Sequence, residues 1–299
     1  MKSSNRNGIL LAILAAALYA INSPFSKLLL DYVPSTLMAG LLYLGAGLGM
    51  GVIALIRRLR HHRREEEAFT RSDLPFVLAM IALDVAAPIL LLLGLSYSTA
   101  ANASLLNNFE IVATALIALC VFKEAISPRL WSGIIFVTAA CALLSFEDMS
   151  ALRLSGGSLL ILGACVCWGI ENNCTRRLSA KDPLMIVLLK GIFSGSGSLI
   201  IGLALGQRPS SFAAVPATLA VGFVAYGLSI FFYVYAQRML GAARTGAYYA
   251  VAPFIGTALS LVLFRDPPPA SYFAALVLMA AGAFLAAGDG PLWKRRKRD

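Results

Sequence analysis

Charged residues are scarce in this chain. Asp, Glu, Lys and Arg make up 13% of its 299 residues, whereas 59% are hydrophobic and the mean hydropathy is +0.78. An average soluble domain is about 45–50% apolar and about 25% charged. Because so few charges could not cover cores of this size, a water-soluble globular protein is excluded. The same composition excludes a disordered chain and a disulfide-stapled secreted domain, and it predicts that lipid surrounds most of the chain.

Catalytic and metal-binding signatures are also missing. The two histidines, His61 and His62, lie in one charged stretch, and the sequence has no G-x-x-x-x-G-K-[ST], G-x-S-x-G or H-E-x-x-H motif. All five cysteines fall within apolar runs, and Cys165 and Cys167 do not share a helix face because they are two residues apart. The sequence therefore predicts neither an enzyme nor a resident metal or cofactor.

What the chain does contain is a series of long apolar stretches. A transmembrane helix needs about 20 mainly apolar residues. Ten stretches satisfy that rule, and we number them spans 1 to 10: 8–30, 34–56, 74–95, 99–122, 128–146, 157–175, 183–205, 214–237, 245–264 and 270–287. Most connections are short, so we expect sequential spans to pack as antiparallel neighbours. The exceptions are a charged loop at 57–72 and a basic tail at 288–299.

The basic residues follow the pattern of membrane topology. The net charge is +10, but the Lys and Arg residues sit in short clusters between the spans, which argues against nucleic-acid binding. With the N-terminus inside, 20 of the 25 Lys and Arg residues lie in inner segments and three in outer loops. This positive-inside bias predicts that both termini, the charged loop and the basic tail are cytoplasmic.

The two halves of the chain are similar to each other. A shift of 149 positions aligns several residues without a gap: Gly8 with Gly157, Tyr19 with Trp168, Ile21 with Ile170, Asn22 with Glu171, Lys27 with Arg176 and Pro34 with Pro183. A shift of 142 aligns 122–124 with 264–266. Each half, 8–146 and 157–287, therefore holds five spans. Because five is odd, the second repeat is inverted relative to the first. Inverted repeats are typical of secondary transporters, which bind substrate near the midplane between the repeats.

Three stretches resemble the EamA-domain family of the drug/metabolite transporter superfamily. They are LGLSYSTAANASLLNNFEIVATALIALCVFKEAIS (93–127), CWGIENNCTRRLSAKDPLMIVLLKG (167–191) and YGLSIFFYVYAQRMLGAARTGAYYAVAPFIGTALS (226–260). Glu124 and Asp266, at the ends of spans 4 and 9, also fit that family. The resemblance implies an inner-membrane exporter of small metabolites, often amino acids. One departure is Ile111, where many family members have the proline that the second repeat retains as Pro253.

Four ionisable residues inside spans are candidates for the site, because such residues are expected to face the bundle interior. Asp84 and Glu110 lie about 10 residues into spans 3 and 4, or ~15 Å, which places both near the midplane. There they could bind an amine or carry a proton, or simply join helices. Glu171 and Lys190 lie nearer the cytoplasmic boundary. They could form a structural ion pair, Lys190 could receive a substrate carboxylate, or the pair could act as an inner gate.

Polar and aromatic residues complete the candidate site. Asparagine binds ligands or links helices, and aromatic rings with a polar edge can wall a cavity or pack in a core. The remaining candidates are Asn22, Asn107, Tyr19, Trp168 and Tyr248. We expect a substrate cavity between the repeats. Lys27 is expected only to extend toward the membrane surface.

The sequence thus predicts an all-α integral membrane protein with ten transmembrane helices in two inverted five-helix repeats. The preferred function is export of small metabolites, most of all amino acids or related zwitterions, by alternating access. Efflux of cationic drugs is an alternative, as is a membrane enzyme or scaffold that transports nothing. The expected partners are a small-molecule substrate and membrane lipid. Transport direction, proton coupling and oligomeric state, monomer or larger, stay open.

Overall fold

The structure, a computed structural model, describes residues 2–59, 69–123, 126–148, 153–178, 181–240, 245, 248–265 and 270–287. Every structural statement below concerns these residues. Glu124, Asp266, most of the charged loop and the basic tail lie outside them.

Ten helical spans follow the predicted order. The first five consist of Lys2–Ala20 with Asn22–Leu29, Ser35–Leu59, Leu74–Ser96, Ala100–Leu106 with Phe109–Phe122, and Pro128–Ser145. The second five consist of Gly156–Arg177, Pro183–Leu189 continued by Lys190–Ser194 and Gly195–Ala204, Ala214–Gly222 continued by Phe223–Leu228 and Ser229–Leu240, Ala252–Phe264, and Ala270–Ala287. A 3₁₀ turn, Arg71–Asp73, precedes span 3. Spans 5 and 6 are joined through two short antiparallel strands, Phe146–Asp148 and Arg153–Leu154, which the sequence did not predict.

By length and composition, seven of these helical stretches could cross a membrane, namely spans 1 to 5, 7 and 8. Spans 9 and 10 form shorter apolar helices in the described part of the chain. Span 6 carries Glu171, Arg176 and Arg177 in its last two turns, which makes it less apolar than the others. The predicted all-helical ten-span membrane fold is confirmed.

The main helix contacts join the two repeats. Span 1 packs on span 8, span 2 on span 7, span 3 on span 6, and span 5 on span 10. Sequential spans such as 2 and 3 or 4 and 5 are also in contact, as predicted, but their contacts are less extensive than those between the repeats. The physical reason is that the small-residue faces of spans 2 and 7 match each other across the repeats rather than within them.

The crossing of spans 2 and 7 depends on glycine. A Cβ atom on Gly191 would clash with the backbone of Gly47, and one on Gly202 would lie 3.0 Å from the backbone of Leu37. The contact order, 37 with 202 and 47 with 191, shows that these counterpart spans are antiparallel. Spans 5 and 10 also approach each other closely through glycine, because Gly282 lies against the backbone of Val137. Antiparallel counterparts are what an inverted repeat requires.

The repeat extends to backbone detail. Lys123 and Arg265, aligned by the shift of 142, end spans 4 and 9 in the left-handed conformation, with φ of 54° and 55°. This conformation is uncommon for a side chain other than glycine, asparagine or aspartate. Its occurrence at two aligned positions indicates that both repeats terminate the same helix in the same way.

Three spans contain a break near the middle of the bundle. Span 1 is interrupted at Ile21, span 4 at the turn Asn107–Asn108, and span 9 at the turn Ala250–Val251, which precedes the helix Ala252–Phe264. Pro24 lies in the first turn of the helix that follows the break in span 1. Pro253 lies in the first turn of its helix, where its missing N–H leaves no hydrogen bond unmade. Broken helices at this depth leave backbone groups free to face a cavity.

Candidate functional site

Four spans meet at the side chain of Lys190. Its Nζ lies 2.7 Å from Glu171 Oε1 and 3.3 Å from Asp84 Oδ2, and the exposed fractions of the three side chains are 7%, 3% and 1%. Tyr43 donates a hydrogen bond of 2.8 Å to Asp84 Oδ1, and Thr175 donates one to Glu171. We call Tyr43, Asp84, Glu171 and Lys190 the lysine cluster. It joins spans 2, 3, 6 and 7.

Local helix geometry positions these groups. Glu171 and Thr175 are four residues apart, so they share one face of span 6. Lys190 is the first residue of the π-helical segment Lys190–Ser194 within span 7. A π-helical turn holds an extra residue and is found frequently at functional sites. Because a buried charge is costly without a partner, removing Lys190 would leave two buried carboxylates without a compensating cation.

Glu110, on span 4, contacts span 6 at Asn172, the residue that follows Glu171. Asn172 Nδ2 donates to Glu110 Oε1 at 2.6 Å and also reaches Thr114 Oγ1 at 3.3 Å. Glu110 lies in the first turn of Phe109–Phe122, where the helix dipole favours a carboxylate. The carboxylate is half-buried, and within the described part of the chain Asn172 is its sole hydrogen-bond donor.

Tyrosine rings from spans 1, 8 and 9 pack against one another. The ring centre of Tyr19 lies 6.1 Å from that of Tyr226 and 5.9 Å from that of Tyr249. Asn22 Nδ2 donates to the Tyr226 hydroxyl at 3.2 Å. We call Tyr19, Asn22, Tyr226 and Tyr249 the tyrosine cluster; it is formed by spans 1, 8 and 9.

Tyr43 connects the two clusters. Its hydroxyl donates to Asp84, and its ring centre lies 5.0 Å from that of Tyr226. Glu110 is joined to the lysine cluster through Asn172, which follows Glu171 on span 6. The lysine cluster, Glu110 and the tyrosine cluster therefore form one continuous site between the repeats.

The structure brings most of the predicted site residues together. The Glu171–Lys190 ion pair is present, but Lys190 also holds Asp84, so the midplane carboxylates Asp84 and Glu110 do not form a pair of their own. Asn22 and Tyr19 lie in the tyrosine cluster. Trp168 and Asn107 are buried but make none of these hydrogen bonds, and Trp168 packs within the apolar core.

Tyr248 is placed differently from its neighbour. It is 37% exposed, whereas Tyr249 packs against Tyr19 and Tyr233. Tyr249, rather than Tyr248, therefore contributes its ring to the tyrosine cluster. Several residues of the site were not among the predicted ones, namely Tyr43, Thr114, Asn172, Thr175, Tyr226 and Tyr249. A signal existed for Tyr43, because it is the one tyrosine within the otherwise aliphatic and glycine-rich span 2.

Lys27 has a more definite place than expected. Its Nζ donates to the carbonyl oxygens of Leu95 at 2.6 Å and Ser98 at 2.8 Å, at the end of span 3. A cation stabilises the last turn of a helix, where carbonyl groups have no intrahelical partner. Lys27 thus links span 1 to span 3 at the end of the bundle opposite the N-terminus.

The charge balance indicates what the site can bind. Asp84, Glu110 and Glu171 supply three carboxylates, whereas Lys190 is the only cation among these four residues. In addition, Asn107 and Asn108 at the break in span 4 each have a buried side-chain oxygen without a hydrogen bond. The site is therefore rich in acceptors and suits a ligand that brings hydrogen-bond donors and positive charge.

Comparisons with known proteins agree with this architecture. The model of the EamA-like transporter family matches residues 6–146 and 155–288. A protein of Methanothermobacter thermautotrophicus described as an uncharacterized transporter is 26% identical, over 95% of this chain and 87% of its own length. A solved crystal structure, 18% identical, has a TM-score of 0.65 over 99% of this chain and 98% of that one.

Proposed function

The chain belongs to the EamA-like transporter family, and from that premise we propose that this membrane transporter exports small metabolites that carry an ammonium group. Amino acids and related zwitterions are the preferred substrates. We further propose that it works by alternating access in the inner membrane, with both termini in the cytoplasm, as the distribution of Lys and Arg favours.

The observation that carries the substrate class is the environment of Glu110. This carboxylate is half-buried near the break in span 4 and receives one hydrogen bond, from Asn172. It keeps acceptor capacity for a further donor, because an ionised carboxylate has about four lone-pair sites. An ammonium group of the substrate would supply both the donor and the compensating charge.

Alternating access is supported by the packing of the repeats. Spans 2 and 7 approach through glycine, and spans 1 and 4 are broken near the site. Smooth glycine faces allow helices to slide, and interrupted helices allow halves of a span to move separately. We propose that the two ends of the bundle open in turn around the site.

Purified protein in liposomes tests this function. We expect uptake of a labelled amino acid above that of protein-free liposomes. Glu110→Gln keeps the shape of the side chain and removes its charge, so it should reduce transport 10-fold or more, equivalent to about 1.4 kcal/mol of lost interaction. Asp31→Asn is the matched control, because Asp31 is an exposed carboxylate outside the site and its loss should leave transport unchanged.

The pH dependence sharpens the same experiment. Normal transport by Glu110→Gln between roughly pH 5.5 and 8 would show that Glu110 is structural, and the assignment would then be wrong. Comparing liposomes with and without a pH gradient separates proton-coupled from facilitated transport. No flux of any solute would overturn the transport proposal and favour a scaffold.

Efflux of organic cations is the second candidate. It is favoured by the excess of carboxylates together with the tyrosine rings, since cations bind to aromatic faces. A cationic dye in the liposome assay separates the two candidates. Transport of the dye without transport of amino acids would replace the zwitterion with a cation as the substrate.

A further inference from the structure

We propose that the ammonium group of Lys190 holds, in the empty protein, the position that the substrate's ammonium takes during transport. Lys190 is then a tethered competitor that the substrate must displace from Asp84 and Glu171. This inference rests on the proposed function, because it concerns the same class of ammonium-bearing substrate.

The geometry around Lys190 is that of a bound ammonium ion. One Nζ lies between a carboxylate on span 3 and a carboxylate on span 6, both of them almost fully buried. The two contacts are unequal, because Nζ lies 2.7 Å from Glu171 Oε1 but 3.3 Å from Asp84 Oδ2. A free ammonium, which has no chain to restrain it, could approach both carboxylates equally.

The site also provides a route for the exchange. Glu110 binds Asn172, and the next residue along span 6, Glu171, binds Lys190. A substrate ammonium held at Glu110 therefore lies close to the lysine cluster, and its positive charge opposes that of Lys190. Like charges at short range in a low-dielectric interior repel strongly. Arrival of the substrate thus favours departure of the lysine.

Span 7 has the means to move the lysine. Lys190 begins the π-helical segment Lys190–Ser194. Conversion of that segment to α-helix would shift the register by one residue, which rotates a side chain by roughly 100° around the helix axis. Such a rotation would carry the ammonium away from Glu171 without breaking the span.

The other role considered for Lys190, binding of a substrate carboxylate, fits the contacts less well. Two carboxylates already face its ammonium, and Glu110 lies in the same electrostatic neighbourhood. A third anion would enter a region that already carries an excess of negative charge. The structure therefore favours competition between cations at this position.

The test compares two proteins of equal charge. In the wild-type lysine cluster, two carboxylates and one lysine give a formal charge of −1; in the double variant Lys190→Met with Asp84→Asn, Glu171 alone gives the same −1. We expect methylammonium chloride to protect the double variant against thermal unfolding at a concentration at least 10-fold lower than for the wild type. Sodium chloride at equal concentration is the control for ionic strength.

Equal or weaker protection of the double variant would overturn the proposal, as would no protection of either protein. Both outcomes are separable from failure of the proposed function, which would appear as a wild type that moves no solute in liposomes.

If the double variant does not fold, a second variant tests the same proposal. Lys190→Arg retains the charge and binds carboxylates through a planar, two-pronged contact, so it should be a stronger competitor. We expect it to keep the melting temperature of the wild type and to need a several-fold higher substrate concentration for half-maximal transport. An unchanged half-maximal concentration in the folded variant would overturn the proposal.

Discussion

The lysine cluster and the tyrosine cluster are two versions of one position in the fold. The shift of 149 aligns Glu171 with Asn22, and the shift of 142 aligns Asp84 with Tyr226. In the first pairing a carboxylate is matched by an amide, and in the second by a phenol. The repeats thus share a scaffold, but one member of each pair is ionic and the other neutral.

The two clusters also lie at different depths. Glu171 is six residues from the end of span 6 at Arg177, whereas Asn22 is seven residues from the end of the opposed first span at Leu29. At 1.5 Å per residue each lies roughly 10 Å from its own end of the bundle. A ligand between them would therefore meet charge on one side and aromatic rings on the other. The two ends of the site therefore differ in chemistry, whereas two identical repeats would give two identical ends.

The contrast predicts a large difference in stability. Lys190→Met would leave Asp84 and Glu171 buried without their shared cation, which we expect to destabilise the protein by about 3–5 kcal/mol. Thermal unfolding in detergent measures the change. Lys190→Arg is the control, since it preserves the charge. A loss below about 1 kcal/mol in Lys190→Met would show that the ionic cluster contributes no more than a neutral one.

A substitution in the neutral tyrosine cluster is expected to cost less stability than Lys190→Met. Tyr226→Phe removes the hydroxyl that accepts from Asn22 and keeps the ring that packs on Tyr43 and Tyr19. A single neutral hydrogen bond contributes about 1 kcal/mol, so we expect a loss of that size in the same unfolding assay. Tyr32→Phe, in an exposed loop, serves as the control. A loss as large as that of Lys190→Met would remove the distinction between the clusters.

The sequence predicted the fold well because its signals are strong and local. Span lengths and the aligned residues of the two halves depend on hydrophobicity and on periodic similarity, which need no knowledge of packing. The partners of each span were not predictable in the same way. The pairing of span 2 with span 7 depends on where Gly47 and Gly191 meet in space, which hydropathy does not specify.

The sequence predicted several residues of the site but not which of them contact one another. Asp84, Glu171 and Lys190 stand out as charges in apolar runs, yet the shared contact of Lys190 with both carboxylates requires the spans to be placed. The break in span 4 gave no proline signal, because Ile111 replaces the proline found at Pro253. It nevertheless lies at Asn107–Asn108, which the shift of 142 places next to the turn Ala250–Val251 in span 9. The local signal was the asparagine pair itself, because asparagine favours turns over helix interiors.

The smallest effect is expected at Lys27, outside both clusters. Its contacts with the carbonyl groups of Leu95 and Ser98 lie near the bundle surface, where a cation at a helix end contributes about 0.3–1 kcal/mol. Lys27→Met should therefore lower stability by less than about 1 kcal/mol, and Lys27→Arg should restore it. Because Lys27 ties span 1 to span 3 at one end of the bundle, its loss should also raise labelling of a cysteine introduced at Ser98. Unchanged labelling at Ser98 would show that the span 1–span 3 contact does not limit access from that end, and that any opening there depends on other contacts.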